Sequence, residues 1–158
     1  MRASLTLPSA FGRAKNPSLA NLRELYCHPH AREPGDEPYL RLPHLKAVCR
    51  SPHLTGLTHL QLRMADFGDA GINEIVASGV LKRLDVLDLR HGLVTDAGAK
   101  QLAACPDFAR LKHLDLRNNR VGPDGVAALK TSGASVAADH QQASDADQWD
   151  TFGQGDIE

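Results

Sequence analysis

Charged, aromatic and histidine side chains recur at matching positions of this 158-residue chain, two, four and six residues after a leucine that opens each repeated phrase. The first position holds Glu24, His59, Val86 and His113, the second Tyr26, Gln61, Asp88 and Asp115, and the third His28, Arg63, Arg90 and Arg117. Arginine and tyrosine often anchor protein interfaces, so these columns predict a surface for a protein partner. A second interpretation is that the two aspartates neutralise the arginines across strands, where each pair contributes only about 0.2–1 kcal/mol.

The sequence predicts neither a metal site nor catalysis. His28 and His30, with His59 nearby, are typical of a solvated strand end, because no cysteine or carboxylate completes a ligand set at a recognisable spacing. The sequence has no glycine-rich phosphate loop and no G-x-S-x-G, H-E-x-x-H or C-x-x-C motif. Cys27 is expected to face inward, where a thiol is inert. We therefore expect no catalytic residue, no cofactor and no enzymatic activity.

A repeated unit of one strand and one helix is predicted to place these side chains in columns. Leu57, Leu84 and Leu111 stand 27 residues apart and open the phrases LTHLQL, LDVLDL and LKHLDL, whose alternation predicts half-buried strands. The following stretches GDAGINEIVA, TDAGAKQLAA and GPDGVAALK have helical spacing, with Gly68, Thr95 and Gly122 as predicted N-caps and an acid just after each. A glycine recurs inside each helix, at Gly71, Gly98 and Gly125, and implies close approach of the neighbouring layer.

This unit resembles the leucine-rich repeat of ribonuclease-inhibitor-like proteins, and HLDLRNNRVGPDGVAAL is similar to bacterial arrays of that family. The resemblance covers about residues 16–138. It implies a right-handed α/β solenoid with a parallel sheet on its concave side and helices on its convex side. The asparagine expected after each strand occurs only as Asn119, since His30, Ala65 and Gly92 occupy the other slots. We therefore expect backbone contacts or water to hold those turns.

The repeat frame also predicts the domain organisation. NPSLANLRELYC aligns with SPHLTGLTHLQL, which places eight extra residues in a surface loop between His30 and Leu40. Residues 1–15 are expected to form the helical half of a unit without a strand. The predicted repeat domain is 1–138, with the half unit 1–15 and further units from about 16, 51, 78 and 105. The alternative, that the chain is the C-terminal part of a longer array, stays open.

The C-terminal residues differ in composition from the repeats. Residues 131–158 contain six acids and no lysine or arginine, and we expect 139–158 to be a flexible acidic tail. Val136 and its neighbours are predicted to form a short terminal strand. Two hypotheses remain for the tail: a solubilising end, or a segment whose Trp149 and Phe152 dock on the solenoid and compete with the partner.

Composition restricts the compartment and the class of ligand. Three cysteines without metal-ligand spacing, and no apolar run near the roughly 18 residues of a membrane span, favour the cytoplasm. A net charge of −1 and 4% aromatic residues argue against nucleic-acid binding. The oligomeric state is left open.

The sequence therefore predicts non-enzymatic recognition of a peptide or small protein surface by the concave face. The predicted partner-binding residues are Tyr26, His28, His59, Gln61, Arg63, Asp88, Arg90, His113, Asp115 and Arg117. The alternative is a structural segment of a longer array that has no ligand of its own.

Overall fold

A computed structural model describes the backbone of residues 2–5 and, in full, residues 17–28, 40–131 and 133–142. Strands and helices alternate through these ranges. The strands are β1 (Arg2–Leu5), β2 (Glu24–Cys27), β3 (His59–Leu62), β4 (Val86–Asp88), β5 (His113–Asp115) and β6 (Ser135–Ala137). The helices are α1 (Leu42–Cys49), α2 (Gly68–Ser78), α3 (Asp96–Ala104) and α4 (Pro123–Lys130).

The six strands form one parallel sheet in chain order, β1 to β6. From β2 to β5 each strand pairs with the next in the register that the repeat predicts, so that Leu25, Leu60, Leu87 and Leu114 align. Consecutive helices pack on one another in the same order. Each unit therefore contacts mainly its neighbours, which confirms the predicted α/β leucine-rich-repeat solenoid.

The core lies between the sheet and the helices and is made of the predicted inward columns. The following residues of these columns have at most 2% of their surface exposed: Leu22, Leu57, Leu84, Leu111, Leu60, Leu87, Leu114, Ile75, Leu102 and Leu129. Burying one such side chain contributes about 1.5–3 kcal/mol. The buried Cys27 and Cys49 belong to the same core, and burial raises the pKa of each thiol to about 12. Both thiols are therefore protonated at neutral pH.

The helices begin close to the predicted N-caps. Thr95 caps α3, with its hydroxyl oxygen accepting the Ala97 N–H at 3.2 Å, and Gly122 caps α4. The prediction for α2 is wrong by one residue, because Phe67 is its N-cap and Gly68 is already helical. Gly68 has φ +46°, a left-handed conformation that glycine adopts without steric cost.

Two aspartates after the helix starts bind the following repeat. The Asp69 carboxylate accepts the Thr95 N–H at 2.9 Å and the Thr95 hydroxyl at 2.6 Å. The Asp96 carboxylate accepts the N–H groups of Gly122 and Gly125 at 2.7 and 3.0 Å. The sequence suggested helix-dipole and capping roles within each helix. The larger role is a link between repeats.

The helix glycines leave room for these links. A Cβ at Gly98 would lie 2.3 Å from Asp69 Oδ1, and one at Gly125 would lie 2.4 Å from Asp96 Oδ1. The predicted close approach is therefore confirmed in these two helices, where the approaching group is an aspartate of the preceding repeat. At Gly71 the nearest group is instead the ring of Phe67 in the same repeat.

The N-terminal prediction needs correction. Residues 2–5 form strand β1, which pairs with β2 from Arg2 opposite Glu24 to Leu5 opposite Cys27. The expectation that residues 1–15 contain no strand is therefore wrong. That expectation came from counting back in the repeat frame, whereas the backbone pairing of residues 2–5 with β2 leaves no local sequence signal.

The predicted terminal strand is confirmed as β6, and ordered packing continues to Gln142. The Gln141 side chain accepts the Val121 N–H at 2.8 Å and donates to the Leu116 carbonyl at 2.9 Å. Residues 139–142 therefore pack on the last repeat, although 138 was the predicted boundary. Trp149, Phe152 and the inserted loop at 29–39 lie outside the described residues, so both hypotheses for the tail stay predictions. Within the described ranges no helix is long and apolar enough to span a membrane.

Candidate functional site

The register of the sheet assembles the predicted columns on its concave face. Glu24, His59, Val86 and His113 are successive partners across β2–β5, as are Tyr26, Gln61, Asp88 and Asp115. Directly after the strands, the Arg63 N–H donates to the Cys27 carbonyl, and the His91 N–H donates to the Arg117 carbonyl, both at 3.1 Å. The parallel alignment thus extends into the arginine column. The role of these residues in binding stays a prediction.

Each aspartate of the second column pairs with the arginine two residues later, just beyond the end of its own strand. Asp88 accepts Arg90 Nη2 at 2.7 Å and Nε at 3.0 Å, and Asp115 binds Arg117 likewise at 2.6 and 3.0 Å. Across strands, Arg90 Nε also lies 3.4 Å from Asp115 Oδ2, which is a pairing of the kind that the sequence suggested. Residues two apart in an extended chain face the same side, so each pair closes within its own repeat.

In each of these ion pairs the aspartate is buried in the sheet and the arginine is more exposed to solvent. Asp88 and Asp115 are 7% and 3% exposed, whereas the Arg90 and Arg117 side chains are 25% and 40% exposed. Burial raises the pKa of Asp115, but hydrogen bonds from Arg117 and the charges of Arg117 and Arg90 outweigh it, so the pKa falls below its ordinary value. The hydrogen bond to Asp88 raises the pKa of Arg90. The surface thus presents guanidinium donors above buried carboxylates.

A depression of about 220 Å³ lies at the centre of this face. It is lined by Tyr26, His59, Leu60, Gln61, Val86, Asp88, Arg90, His113 and Asp115. Seven of these nine were predicted partner-binding residues, whereas His28, Arg63 and Arg117 lie outside the lining. The floor also includes Val86, which occupies the first column but was not a predicted site residue. The sequence could have indicated Val86 by its apolar side chain at a strand position that faces outward.

Polar contacts hold the side chains around the depression. The Tyr26 hydroxyl donates to Glu24 Oε2 at 2.9 Å. His59 Nδ1 is 2.9 Å from the Thr58 hydroxyl, and His113 Nδ1 is 3.4 Å from the Ser135 hydroxyl. The described residues bring no three His, Cys, Asp or Glu side chains together as a metal site. This arrangement offers hydrogen bonds and apolar contact to a ligand.

His91 lies beside the arginine column, in the turn after β4. It has φ +56°, as Met64 and Asn118 have at the same place in their repeats. Burial lowers its pKa, and the positive charges of Arg63 and Arg90 lower it further. The folded state therefore favours the neutral imidazole of His91 over its charged form.

A second depression, of about 530 Å³, lies on the outer side of α4. Its lining is Val121, Gly122, Pro123, Val126, Ala127, Lys130 and Gln141. Val121 and Val126 give it apolar walls, and Lys130 brings its single formal charge. The concave depression combines more varied donors with contributions from four strands, so it is the better candidate for specific recognition.

The structure defines a class: an α/β repeat solenoid with a polar concave sheet. The leucine rich repeat family model matches residues 53–76 and 111–130. The chain therefore contains leucine-rich repeats, and its fold is that of a leucine-rich-repeat protein. The ribonuclease-inhibitor-like subtype stays a prediction.

Solved structures support the same fold. A crystal structure of a protein from Bacteroides fragilis matches with a TM-score of 0.65 and 19% identity, covering 78% of this chain and 35% of that one. This chain thus spans about a third of the length of that neighbour, and at this identity the likeness concerns the fold alone. A search of curated proteins found no match.

Proposed function

We propose that this chain is a non-enzymatic protein-interaction module that binds a peptide or a small protein surface on its concave sheet. Leucine-rich repeats suggest an interaction module. The observation that carries the proposal is the depression of about 220 Å³ lined by side chains from four neighbouring strands. Tyr26 and Arg90, at its margin, are of the residue types that most often anchor interfaces. A cytoplasmic location, and a ligand that is neither nucleic acid nor membrane, belong to the same proposal.

The size of the face favours a peptide. Six strands at a spacing of about 4.8 Å make a sheet about 24 Å wide. A standard protein interface needs roughly 800 Å² per partner, which would occupy most of this face. The depression is also smaller than the roughly 300–1,000 Å³ of pockets for drug-sized molecules. An extended segment or a projecting loop is the ligand that fits best.

A structural role is the second candidate. In this alternative the chain is a segment of a longer leucine-rich-repeat array and has no ligand of its own. The apolar depression on α4 favours it, because Val121, Pro123 and Val126 there offer an apolar surface on which a neighbouring domain would pack. The two candidates make different predictions for the concave face, since only the first requires that face to bind.

Peptide display separates the two candidates. A random peptide library is selected against the full chain, and binders are re-tested on Val86→Arg, which fills the concave depression. Ala97→Arg is the matched control, because it places the same side chain at an exposed position of α3. We expect selected peptides to lose binding to Val86→Arg and to retain it with Ala97→Arg. Peptides that bind all three proteins equally would contradict a concave-face function.

A further inference from the structure

The apolar depression on α4 corresponds to a face that a neighbouring repeat covers in the preceding helices. Ile72, Ala99 and Val126 follow one another at 27 residues, and the first two are fully buried. Ala99 lies against α4, because a Cβ at Gly125 would be 3.0 Å from the Ala99 Cβ. Val126 lines the depression and is only half-buried. Among the described residues, the end of the solenoid thus leaves uncovered a position that belongs to the core in the preceding two helices.

The carboxylate that links one repeat to the next is missing from this face. Asp69 and Asp96 occupy one column of the repeat. They accept the N–H groups of Thr95 and Gly122 in the following repeat at 2.9 and 2.7 Å. Pro123 occupies the same column in α4, 27 residues after Asp96. A proline side chain has no acceptor, so a further repeat of the same kind would lack this link. The depression is therefore suited to an occupant other than another such repeat.

The chain itself reaches the rim of the depression. Gln141 is part of the lining, and its side chain accepts the Val121 N–H at 2.8 Å. Asn119 accepts the Val94 N–H in the same way one repeat earlier. The N–H of the next residue, Gln142, donates to the Asn119 carbonyl at 2.6 Å. The residues that follow Gln142 therefore start beside α4.

The segment after Gln142 has the composition that this depression requires. Trp149 and Phe152 are its aromatic side chains, and an aromatic side chain buries about 150–250 Å². Trp149 follows Gln142 by seven residues, which span up to about 25 Å, whereas the eight residues of α4 are about 12 Å long. Lys130 is the charged residue of the lining. Residues 143–158 contain no lysine or arginine and five acids: Asp145, Asp147, Asp150, Asp156 and Glu158.

We propose that residues 143–152 fold back on α4, place Trp149 in the depression over Val126 and close this end of the solenoid. A repeat array needs a terminal element that covers its last apolar face. This contact differs from docking of the tail on the concave sheet, because it leaves the proposed binding face open. It also closes the depression to a neighbouring domain.

Tryptophan fluorescence of the full chain tests this contact, because Trp149 is the one tryptophan of the sequence. An indole in apolar surroundings emits at a shorter wavelength than an indole in water. We expect the folded chain to emit at a shorter wavelength than the chain unfolded in urea, and to be quenched less by acrylamide. Val126→Lys should move the emission to longer wavelength and increase the quenching, because it places a charge in the depression. Val86→Lys is the matched control, since it changes a half-buried valine of the concave sheet, and it should alter neither reading.

Three results would overturn the proposal. Emission of the folded chain at the wavelength of the unfolded chain would show that Trp149 lies in water. Emission that responds to Val86→Lys and not to Val126→Lys would place Trp149 on the concave sheet. Emission that shifts with protein concentration would assign the contact to a second copy of the chain.

A second measurement does not depend on the folding of Val126→Lys. It compares the backbone amide NMR signals of the ¹⁵N-labelled full chain with those of Trp149→Gln. We expect the signals of α4 and of Gln141 to shift and those of β2–β5 to stay unchanged, because the indole contacts the helix alone. Shifts confined to the immediate sequence neighbours of position 149, or centred on the strands, would contradict the proposal.

Discussion

At the scale of single residues, Asn119 holds the turn between β5 and α4. It is fully buried; its side chain accepts the Val94 N–H at 3.0 Å and donates to the carbonyls of Leu89 and Leu116 at 2.9 and 3.1 Å. Gly92 makes room for it, because a Cβ there would lie 2.7 Å from Asn119 Oδ1. The amide thus joins two repeats through backbone groups that have no access to water.

Replacing this side chain tests its contribution. Asn119→Ala should lower the free energy of unfolding by roughly 3 kcal/mol, because several buried backbone groups lose their partner at about 1–3 kcal/mol each. Urea denaturation measures the change, and Asn73→Ala, at an exposed position of α2, is the control. A loss for Asn119→Ala no larger than that of the control would contradict this role.

His91 predicts a pH dependence of stability. Its pKa is lowered in the folded chain, first by burial and then by Arg63 and Arg90, so the unfolded chain binds this proton more tightly. The contribution is therefore fully present above the unfolded pKa of about 6.5 and is lost as the pH falls below it. His91→Asn removes the titration and suits the left-handed backbone.

The measurement compares unfolding free energies at pH 7.5 and pH 5. The decrease from pH 7.5 to pH 5 should be smaller in His91→Asn than in the parent chain. His140→Asn controls for the substitution itself, because His140 is exposed and has φ +55°. Identical decreases in the parent and His91→Asn would rule out this contribution.

At the scale of elements, Asp96 couples α3 to α4. Asp96→Ala leaves the N–H groups of Gly122 and Gly125 without their acceptor and should cost about 1–3 kcal/mol. Gly125→Ala should also destabilise the chain, because the new methyl group would meet Asp96 Oδ1 at 2.4 Å. In the double variant the carboxylate is absent, so the total loss should be smaller than the two single losses together. Because Val121 and Ala99 are also close to that methyl group, removing the Asp96 carboxylate relieves only part of the steric clash. Additive losses in urea denaturation would contradict this coupling.

The elements differ in how far the sequence could predict them. The leucine columns predicted β2–β5, and helical spacing predicted α2–α4, because burial on one face imposes a period that single residues display. The link from Asp96 to the next repeat was not predictable in this way, since an acid at a helix start has a sufficient local reason to be there. β1 escaped prediction because its pairing with β2 is a tertiary contact.

At the scale of the whole molecule, the candidate site follows from the repeat and from details that the repeat does not contain. The 27-residue period placed Tyr26, Gln61, Asp88 and Asp115 in one column, and the sheet register confirms that placement. It did not show that the aspartates lie beneath the arginines, because that depends on side-chain packing. It also placed Val86 in the first column, but that Val86 lines the depression appears only when neighbouring strands are assembled.

Recognition by the concave face is tested most directly by mapping where a display-selected peptide binds the full chain, read from the backbone amide signals by NMR. We expect the largest shifts on β2–β5 and the residues just after them, centred on Val86, Asp88 and Arg90. Shifts centred on α1–α4, with the strands unchanged, would contradict a concave-face recognition module.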